Sequence, residues 1–376
     1  MAPLTTSSMR LVHFNICIPK CQILFDYFFN FLYNNCRNCR NSAKYGDSMK
    51  KLWISLLLVA LLLAGCASSG PKEREMTAMD TLITIRLWGS DEDLDAAENE
   101  ISRLDGMLSA TDPDSPVYQL NQTGRGDLPA EAADLLEKAA EVSVVTGGSF
   151  DPTVYPYVKA WGFTQEEKQV PTDDMLEALK PSVGTEHIHQ DGESVILDAG
   201  TELDLGGIAK GYAAQRCADL LKSRGVESAI LSLGGNVQTI GNKPDKTLWA
   251  VGIADPDNPA SPAAVLHFEG AMALVTSGSY QRYFEKDGIR YHHILDPKTG
   301  CPADNGLASV TILTDDGTKA DGFSTALFVM GMEKATEFWK ARNDFEAVFM
   351  TTDGSIYATE GAAPLLSDCE FTVIER

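Results

Sequence analysis

Residues 204–212 of this 376-residue chain read DLGGIAKGY, which is the end of a strand, a pair of glycines and the start of a helix. The backbone N–H groups at the start of a helix are free to face anionic oxygens, and glycines let a ligand come close to the main chain. The stretch is neither a Walker A loop nor a Gly-x-Gly-x-x-Gly fingerprint, because Lys210 precedes its glycine and no Ser or Thr follows. Taken alone, it predicts either a tight structural turn or a cradle for phosphate oxygens.

Hydrophobic periodicity on both sides of this stretch predicts an α+β fold. Residues 79–87 alternate as in a strand, and a helix follows in which Ser90 and Asp93 form a capping pattern. Strands then occur in clusters, which favours one two-lobed catalytic domain of mixed and antiparallel sheets with packed helices over residues 76–376. The other predicted helices cover 129–145, 208–223, 318–330 and 332–342, and the other predicted strands cover 195–205, 228–233, 248–254, 264–268, 271–276, 290–295, 308–314, 345–351 and 370–374.

The composition is that of a globular protein, because 44% of the residues are hydrophobic and can form a substantial core. The formal net charge is −22 at pH 7. An acidic surface repels the phosphates of DNA and RNA, so this charge argues against nucleic acid as a partner.

The front of the chain has the pattern of a processing signal. After Met49, two lysines precede an apolar run over residues 52–64. The length of the run is within the roughly 7–15 residues of a signal peptide and short of the roughly 20 that span a membrane. Residues 63–66 read LAGC, which looks like a bacterial lipobox, in which the Cys receives lipid.

This pattern predicts the order of the segments. Residues 1–48 are expected to be an upstream extension or a misassigned start, and residues 49–65 a lipoprotein signal peptide. Residues 66–75 then contain the lipidated Cys66 and a flexible tether. We expect a membrane-anchored lipoprotein on the outer face of the cytoplasmic membrane or in the periplasm.

Three further segments carry polar groups next to glycines. Residues 147–154 (GGSFDPTV) form a rigid turn in which Asp151 either binds a ligand or satisfies local amides. Residues 232–236 (SLGGN) end a buried strand, and in isolation a bulge or turn explains them. Residues 276–283 (TSGSYQRY) combine hydroxyls, a guanidinium and aromatic rings, which suit the phosphates and rings of a nucleotide.

Two adjacent histidines, His292 and His293, precede an Asp-Pro pair at residues 296–297. An imidazole titrates near neutral pH, so one of them is a candidate general base. Neighbouring side chains of a strand point to opposite faces, and the two rings therefore cannot share one site. The alternative for either histidine is a structural imidazole that is held by hydrogen bonds.

Residues 320–327 (ADGFSTAL) place Asp321 and Thr325 four residues apart at the start of a helix, so that both oxygens lie on one face. Hard oxygen ligands suit Mg2+, which takes few protein ligands and completes its coordination with phosphate and water. The alternative is that Asp321 simply caps the helix.

In this order the segments resemble the ApbE family of FAD:protein FMN transferases, and the resemblance covers about residues 76–376. It is carried by FDPTV, the DxGGxAKGY loop, GGN, TSGSY, HIxDPxTG and an Ala-Asp pair with Thr four residues after the Asp. The lipobox agrees with many family members. The family often has Gly where this chain has Asp80, and some members have an acid where it has Ser324.

The resemblance implies a set of site residues. Mg2+ is held by the carbonyl of Gly207 with Asp321 and Thr325. Ser324 is a further, uncharged ligand position, which gives weaker metal binding or leaves the place to a water. His293 takes the place of the catalytic base. The residues expected to bind FAD are Met79, Ser149, Phe150, Asp151, Asp204, Lys210, Ser277, Gly278 and Leu295.

The resemblance also implies an activity and its partners. We expect Mg2+-dependent transfer of FMN from FAD to a Thr or Ser hydroxyl of an exported protein, with release of AMP. The implied acceptors carry an Asp-Gly-x-Ser/Thr-type motif and are subunits of Na+-translocating or Rnf-type redox complexes. Two alternatives stay open: an Mg2+-dependent FAD pyrophosphatase that uses water, and a lipoprotein that binds FAD without a reaction.

Overall fold

A nine-stranded sheet organises the fold. The computed structural model describes residues 70–256, 258 and 261–376, and Gly70–Arg376 is one compact unit. The predicted signal peptide and Cys66 lie outside the described residues. The strands are β1 (Lys72–Ala78), β2 (Thr81–Leu87), β3 (Arg125–Asp127), β4 (Ile188–Asp191), β5 (Ser194–Leu197), β6 (Ala229–Leu233), β7 (Asn236–Ile240), β8 (Trp249–Ala254), β9 (Pro262–Phe268), β10 (Ala273–Gly278), β11 (Tyr283–Lys286), β12 (Ile289–His292), β13 (Leu307–Thr314), β14 (Glu346–Thr351), β15 (Ile356–Thr359), β16 (Leu366–Ser367) and β17 (Thr372–Ile374).

The long helices begin and end largely where the sequence indicates. Before the first helix, Ser90 and Asp93 form the predicted capping box, in which each side chain accepts from the other residue's backbone N–H. The last helix is interrupted at Gly331, where φ is 76°, in agreement with two predicted helices on either side. The helices are α1 (Asp91–Leu108), α2 (Pro116–Thr123), α3 (Ala130–Val145), α4 (Tyr155–Trp161), α5 (Asp173–Leu179), α6 (Ala209–Ser223) and α7 (Gly317–Lys340).

The large sheet has the strand order β1-β2-β6-β7-β10-β13-β14-β15-β17. Its strands pair antiparallel except for β15 and β17, which are parallel. Smaller sheets are formed by β11 and β12, by β16, β9 and β8, and by β3, β5 and β4. The predicted α+β class with mixed and antiparallel sheets is confirmed.

Both faces of the large sheet are covered, because apolar residues occupy both faces of its central strands. Along β14, Ala347 and Phe349 belong to the larger core, which also contains residues of α1, α6 and α7. Val348 and Met350, which point the other way, pack into a second core with residues of β8 and β9. The central strands are therefore packed on both faces, and the residues at their ends extend from this packed framework.

Helices α6 and α7 approach each other closely at Gly211. A Cβ atom at this position would lie 2.1 Å from the carbonyl oxygen of Gly317 and 2.6 Å from the Cβ of Asp321, so only glycine fits. The approach lets the N–H of Gly211 donate to Oδ2 of Asp321 at 2.8 Å. The cap of α7 is Asp316, whose side chain accepts from the N–H of Lys319. The interpretation of Asp321 as a helix cap is therefore wrong.

Other corrections concern short elements. Residues 72–75 were expected in a flexible tether, but they belong to β1. These four residues are charged, and the strand is held by its backbone pairing with β2. The strand predicted over 195–205 is shorter, Ser194–Leu197, and a turn follows in which Gly200 has φ 86°. Helices α2, α4 and α5 were not predicted, since seven or eight residues give little periodicity. Among the described helices, none is both long and apolar enough to cross a membrane.

Candidate active site

An open cleft lies at one end of the strands of the large sheet, where the β1–β2 turn, the start of β7 and the end of β10 come together. It encloses about 1470 Å3 of space, including the part that is open to solvent. The segments singled out in the sequence converge there. The predicted site residues that line the cleft are Met79, Ser149, Phe150, Asp151, Asp204, Gly207, Lys210, Ser277, His293, Leu295, Asp321 and Thr325.

His293 follows β12 and is held by the main chain. Its Nδ1 lies 3.1 Å from the carbonyl oxygen of Arg282, and its backbone N–H donates to the same oxygen at 3.1 Å. A carbonyl oxygen only accepts, so Nδ1 carries the proton and Nε2 holds the lone pair of the neutral ring. Desolvation of the ring, together with the nearby cations Arg282 and Lys210, lowers the pKa of His293 to about 3. The imidazole is therefore neutral at pH 7.

His292 has a structural environment instead. Its ring is buried, Nε2 donates to the carbonyl of Ala303 at 3.1 Å, and Nδ1 accepts from the N–H of Ile294 at 3.3 Å. The ring also meets the Phe328 ring edge to face. Desolvation lowers the pKa of His292 as well. Both of its nitrogens are occupied, so of the two adjacent histidines only His293 is available for chemistry in the cleft.

Two cationic side chains line the cleft near His293. Nζ of Lys210 donates to the carbonyl of Gly206 at 3.0 Å, which ties the side chain to the glycine turn before α6. The guanidinium of Arg282 lies 3.6 Å from a carboxylate oxygen of Asp80 in the β1–β2 turn. Both side chains are partly exposed, so an anionic ligand can reach their charges.

Two carboxylates of the cleft are desolvated. Desolvation raises the pKa of Asp204, although its Oδ1 accepts from the N–H of Gly206 at 2.7 Å. Asp151 is buried, and desolvation raises its pKa as well. Oδ1 of Asp151 accepts from both the N–H and the hydroxyl of Thr153. Asp151 therefore satisfies local hydrogen-bond donors and also lines the cleft, where it can meet a ligand.

Several oxygen atoms that can bind a metal lie close together in one corner of the cleft, where residues 204–210 approach α7. Asp321 is 3% exposed, and one of its carboxylate oxygens is held by Gly211. A Cβ atom on Gly207 would lie 3.6 Å from Oγ1 of Thr325, so these two residues are neighbours. Oγ1 of Thr325 lies 3.2 Å from Oγ of Ser277. A carboxylate, a hydroxyl and a nearby carbonyl are hard donors that fit Mg2+.

Within the described part of the chain, no group of three His, Cys, Asp or Glu side chains is placed to hold a metal ion. A cation at this corner would draw on the carboxylate of Asp321 and on neutral oxygens such as the hydroxyl of Thr325.

Two predicted site residues do not line the cleft. Ser324 is fully buried, and its hydroxyl donates to the carbonyl of Asp321 at 2.9 Å and lies 2.8 Å from Oγ of Ser277. The hydroxyl of Ser324 is therefore engaged by Asp321 and Ser277, and it is not free to bind a metal. Gly278 ends β10, and a Cβ atom there would lie 2.7 Å from the ring of Tyr280. Its role in the structure is to leave room for that ring.

Sequence reasoning did not assign several residues that line the cleft. Arg282 and Asn236 stand inside the segments 276–283 and 232–236, so their signal was available. Residues 109–111 after α1, together with Tyr155 and Phe163, also line the cleft, and no motif marked them. These positions come from distant segments that only the fold brings together.

The fold and the cleft define an α+β enzyme with a neutral histidine, two cationic side chains and a corner of oxygen donors. A sequence model of the ApbE family matches residues 79–349. The FAD:protein FMN transferase of Treponema pallidum is 32% identical over 335 residues, which cover 81% of this chain and 92% of that protein. The one from Vibrio cholerae is 33% identical over 337 residues, 84% of this chain and 99% of that protein.

Solved structures agree with these sequence relationships. The crystal structure of the ApbE protein from Thermotoga maritima is 32% identical and superimposes with a TM-score of 0.74 over 79% of this chain and all of that one. The apo form of the flavinyl transferase ApbE from Pseudomonas stutzeri is 29% identical, with a TM-score of 0.70 over 78% of this chain and 96% of that one. The chain belongs to the ApbE family.

Proposed function

We propose that this enzyme transfers FMN from FAD to a Thr or Ser hydroxyl of an exported protein, in an Mg2+-dependent reaction that releases AMP. The names of the relatives support flavin transfer from FAD. The observation that carries the finer proposal is the arrangement of His293, whose Nδ1 is engaged by the carbonyl of Arg282. The lone pair on Nε2 is left to accept a proton inside a cleft that also contains two cations.

The proposed reaction is a single displacement at phosphorus. The hydroxyl oxygen of the acceptor forms a bond to the FMN-side phosphorus, and the bond from that phosphorus to the AMP oxygen breaks. AMP leaves with the electron pair of that bond, and the hydroxyl proton moves to Nε2 of His293. The product is a phosphoester between FMN and the acceptor side chain.

Lys210 and Arg282 are suited to the pyrophosphate of FAD. Both lie near His293 and contribute to its low pKa. When an anionic pyrophosphate binds beside them, its charge offsets theirs, and the pKa of His293 rises towards its ordinary value. Binding of FAD would thereby make His293 a stronger base for the transfer step.

The oxygen donors form the proposed cation site. Asp321 and Thr325, with the carbonyl of Gly207, would hold Mg2+. When bound, Mg2+ supplies positive charge that stabilises the pyrophosphate and the departing AMP. Asp321 is prepared for this role because Gly211 fixes one of its oxygens. The hydroxyl of Ser277 contacts the hydroxyls of both Ser324 and Thr325, which keeps the Thr325 hydroxyl in its place.

We also propose that the enzyme acts outside the cytoplasm, held to the membrane by lipid on Cys66, on exported acceptors with an Asp-Gly-x-Ser/Thr-type motif. Subunits of Na+-translocating or Rnf-type redox complexes fit this description. Replacement of Cys66 by Ser is expected to move the enzyme from the membrane fraction to the soluble fraction. An unchanged distribution would overturn the lipid anchor.

The transferase is tested with the full chain in detergent, FAD, Mg2+ and an exported flavoprotein domain that carries such a motif. AMP release and flavin fluorescence that persists on the denatured acceptor are measured together. Covalent flavin that forms with AMP and disappears with a chelator supports the proposal. AMP and free FMN without labelling would indicate the pyrophosphatase, and intact bound FAD would indicate a carrier.

A further inference from the structure

Asn236 carries a buried polar group that lacks a partner. It is the first residue of β7, directly after the Gly234-Gly235 turn, and lines the cleft although only 2% of its surface is exposed. Its Nδ2 makes no hydrogen bond to any described residue. An unpaired N–H in a buried position destabilises a fold, so its presence in a cleft points to a ligand that completes it.

The surroundings of Asn236 are tightly built. Gly235 has φ 100°, and a Cβ atom there would lie 2.8 Å from Nε2 of Gln281. Glycine therefore lets Gln281 cover the turn and donate to the carbonyl of Thr276 at 3.0 Å. The backbone of Asn236 is held on both sides by β6 and β10. Because the main chain is fixed, only the amide group itself is free to adjust.

The position of Asn236 indicates which part of a substrate it meets. Its partner in the sheet is Val275, two residues before Ser277 on the same strand. Oγ of Ser277 lies 3.2 Å from Oγ1 of Thr325, in the corner of oxygen donors. Asn236 is therefore one strand away from the proposed cation site, next to the place where the phosphates of FAD would lie.

We propose that Asn236 donates a hydrogen bond to a phosphoryl oxygen of the FAD pyrophosphate. This inference rests on the proposed function, because it takes FAD as the substrate. The terminal torsion of an Asn side chain is soft, so a small rotation directs its NH2 group at an entering oxygen. Hydrogen bonds to charged oxygens are about twice as strong as neutral ones, which offsets the destabilisation of the empty site.

The same strand offers a matched control. Gln238 is as buried as Asn236, and its Oε1 likewise has no partner among the described residues. Gln238 does not line the cleft, however. Asn236→Leu and Gln238→Met each replace a buried amide that has one unpaired atom with an apolar side chain, but only the first removes a group that lines the cleft.

The test measures binding of FAD, FMN and riboflavin to the full chain by flavin fluorescence, with Mg2+ present. For Asn236→Leu we expect about a 10- to 100-fold loss of affinity for FAD, the size expected for a lost bond to a charged group. Asn236→Asp, which adds a negative charge, should lose more. Riboflavin has no phosphate, so its affinity should not change. Gln238→Met should bind all three like the wild type.

The other outcomes overturn the inference in distinct ways. An equal loss for FAD and riboflavin would place the bond on the flavin ring and not on a phosphate. Unchanged FAD affinity in a folded Asn236→Leu protein would show that the amide has no ligand. Thermal unfolding with and without FAD confirms folding, and a wild type that binds no FAD would contradict the proposed function itself.

Discussion

The carbonyl oxygen of Arg282 lies 3.1 Å from Nδ1 of His293 and equally far from the backbone nitrogen of the same residue. One main-chain atom therefore fixes both the backbone and the ring of His293. Because the anchor is a carbonyl, the ring is set in the tautomer with its lone pair on Nε2. A side-chain substitution at Arg282 leaves this anchor intact, which allows the charge of residue 282 to be tested separately.

The adjacent histidines provide a test of this arrangement. His293→Asn keeps an N–H close to the position of Nδ1 and can still donate to Arg282, but it removes Nε2. We expect FAD binding to persist while transfer falls by about 10²–10⁴-fold, the usual contribution of a general base. The matched control is His292→Gln, which can keep the bond to Ala303. It should remain active and lose about 1–3 kcal/mol of stability, because the N–H of Ile294 loses its acceptor.

Flavin binding by fluorescence and AMP release separate these outcomes. Should His293→Asn lose FAD affinity in step with activity, His293 would be a binding or structural residue. Should His292→Gln be the inactive variant while still folded, the roles of the two rings would be exchanged.

The pH dependence follows from the low pKa of His293. A base must be unprotonated, so activity is retained above its pKa and lost as the pH falls through it. With the pKa of His293 at about 3, kcat/KM, which reports the free enzyme, should show no loss from this residue between about pH 5 and 7. Arg282→Gln removes one cause of the low pKa, so an acid limb should then appear at higher pH.

Measurements of kcat/KM from pH 4 to 8 in the wild type and in Arg282→Gln check this expectation. An acid limb near the ordinary histidine pKa of about 6.5 in the wild type, unmoved by the substitution, would contradict it.

The metal site is tested by Asp321→Asn. The amide retains an oxygen that can accept from the N–H of Gly211, so the fold should persist. The loss of the carboxylate should raise the Mg2+ concentration required for half-maximal AMP release by about tenfold or more. Asp316→Asn is the control, because Asp316 caps the same helix and Asn is an equally good cap.

A Mg2+ titration of AMP release distinguishes the two variants. Wild-type Mg2+ dependence in Asp321→Asn would remove Asp321 from the metal site. A similar shift in Asp316→Asn would mean that the helix terminus as a whole, and not one carboxylate, controls the cation.

Much of the site was predictable because its residues stand in compact local motifs. Asp321 and Thr325 stand four residues apart in one helical segment, whereas the segment with two histidines left the choice open and the family resemblance selected His293. Ser324 was expected as a ligand position from the family resemblance alone. In the structure its hydroxyl faces Ser277 and is fully buried.

The fold was predictable for long periodic elements and not for short ones. The capped α1 helix and the buried strand β13 have clear periodicity or apolar runs. The pairing of β1 with β2 was missed because it depends on backbone hydrogen bonds in a charged segment. The two residues between these strands, Met79 and Asp80, have φ of 51° and 57°, the left-handed conformation that glycine adopts more readily than other residues.

The last prediction concerns Asp204, whose pKa is raised by desolvation. A carboxyl with a raised pKa binds more protons in the folded than in the unfolded state, so its ionisation destabilises the fold as the pH rises through the folded pKa. Asp204→Asn should therefore increase the thermal stability at pH 7. The gain should vanish below about pH 3.5, where the carboxyl is neutral in both states. The amide oxygen can still accept from Gly206.

Asp198→Asn is a control of opposite sign. Hydrogen bonds from His187 and then His189 lower the pKa of Asp198, so its carboxylate stabilises the fold at neutral pH, and Asn should reduce the stability there. Unfolding temperatures at pH 3.5 and 7, with and without FAD, are the measurement. If Asp204→Asn is more stable alone but gains less from FAD than the wild type, the carboxylate is retained for the substrate. If it is less stable at pH 7, the desolvation argument for Asp204 is wrong.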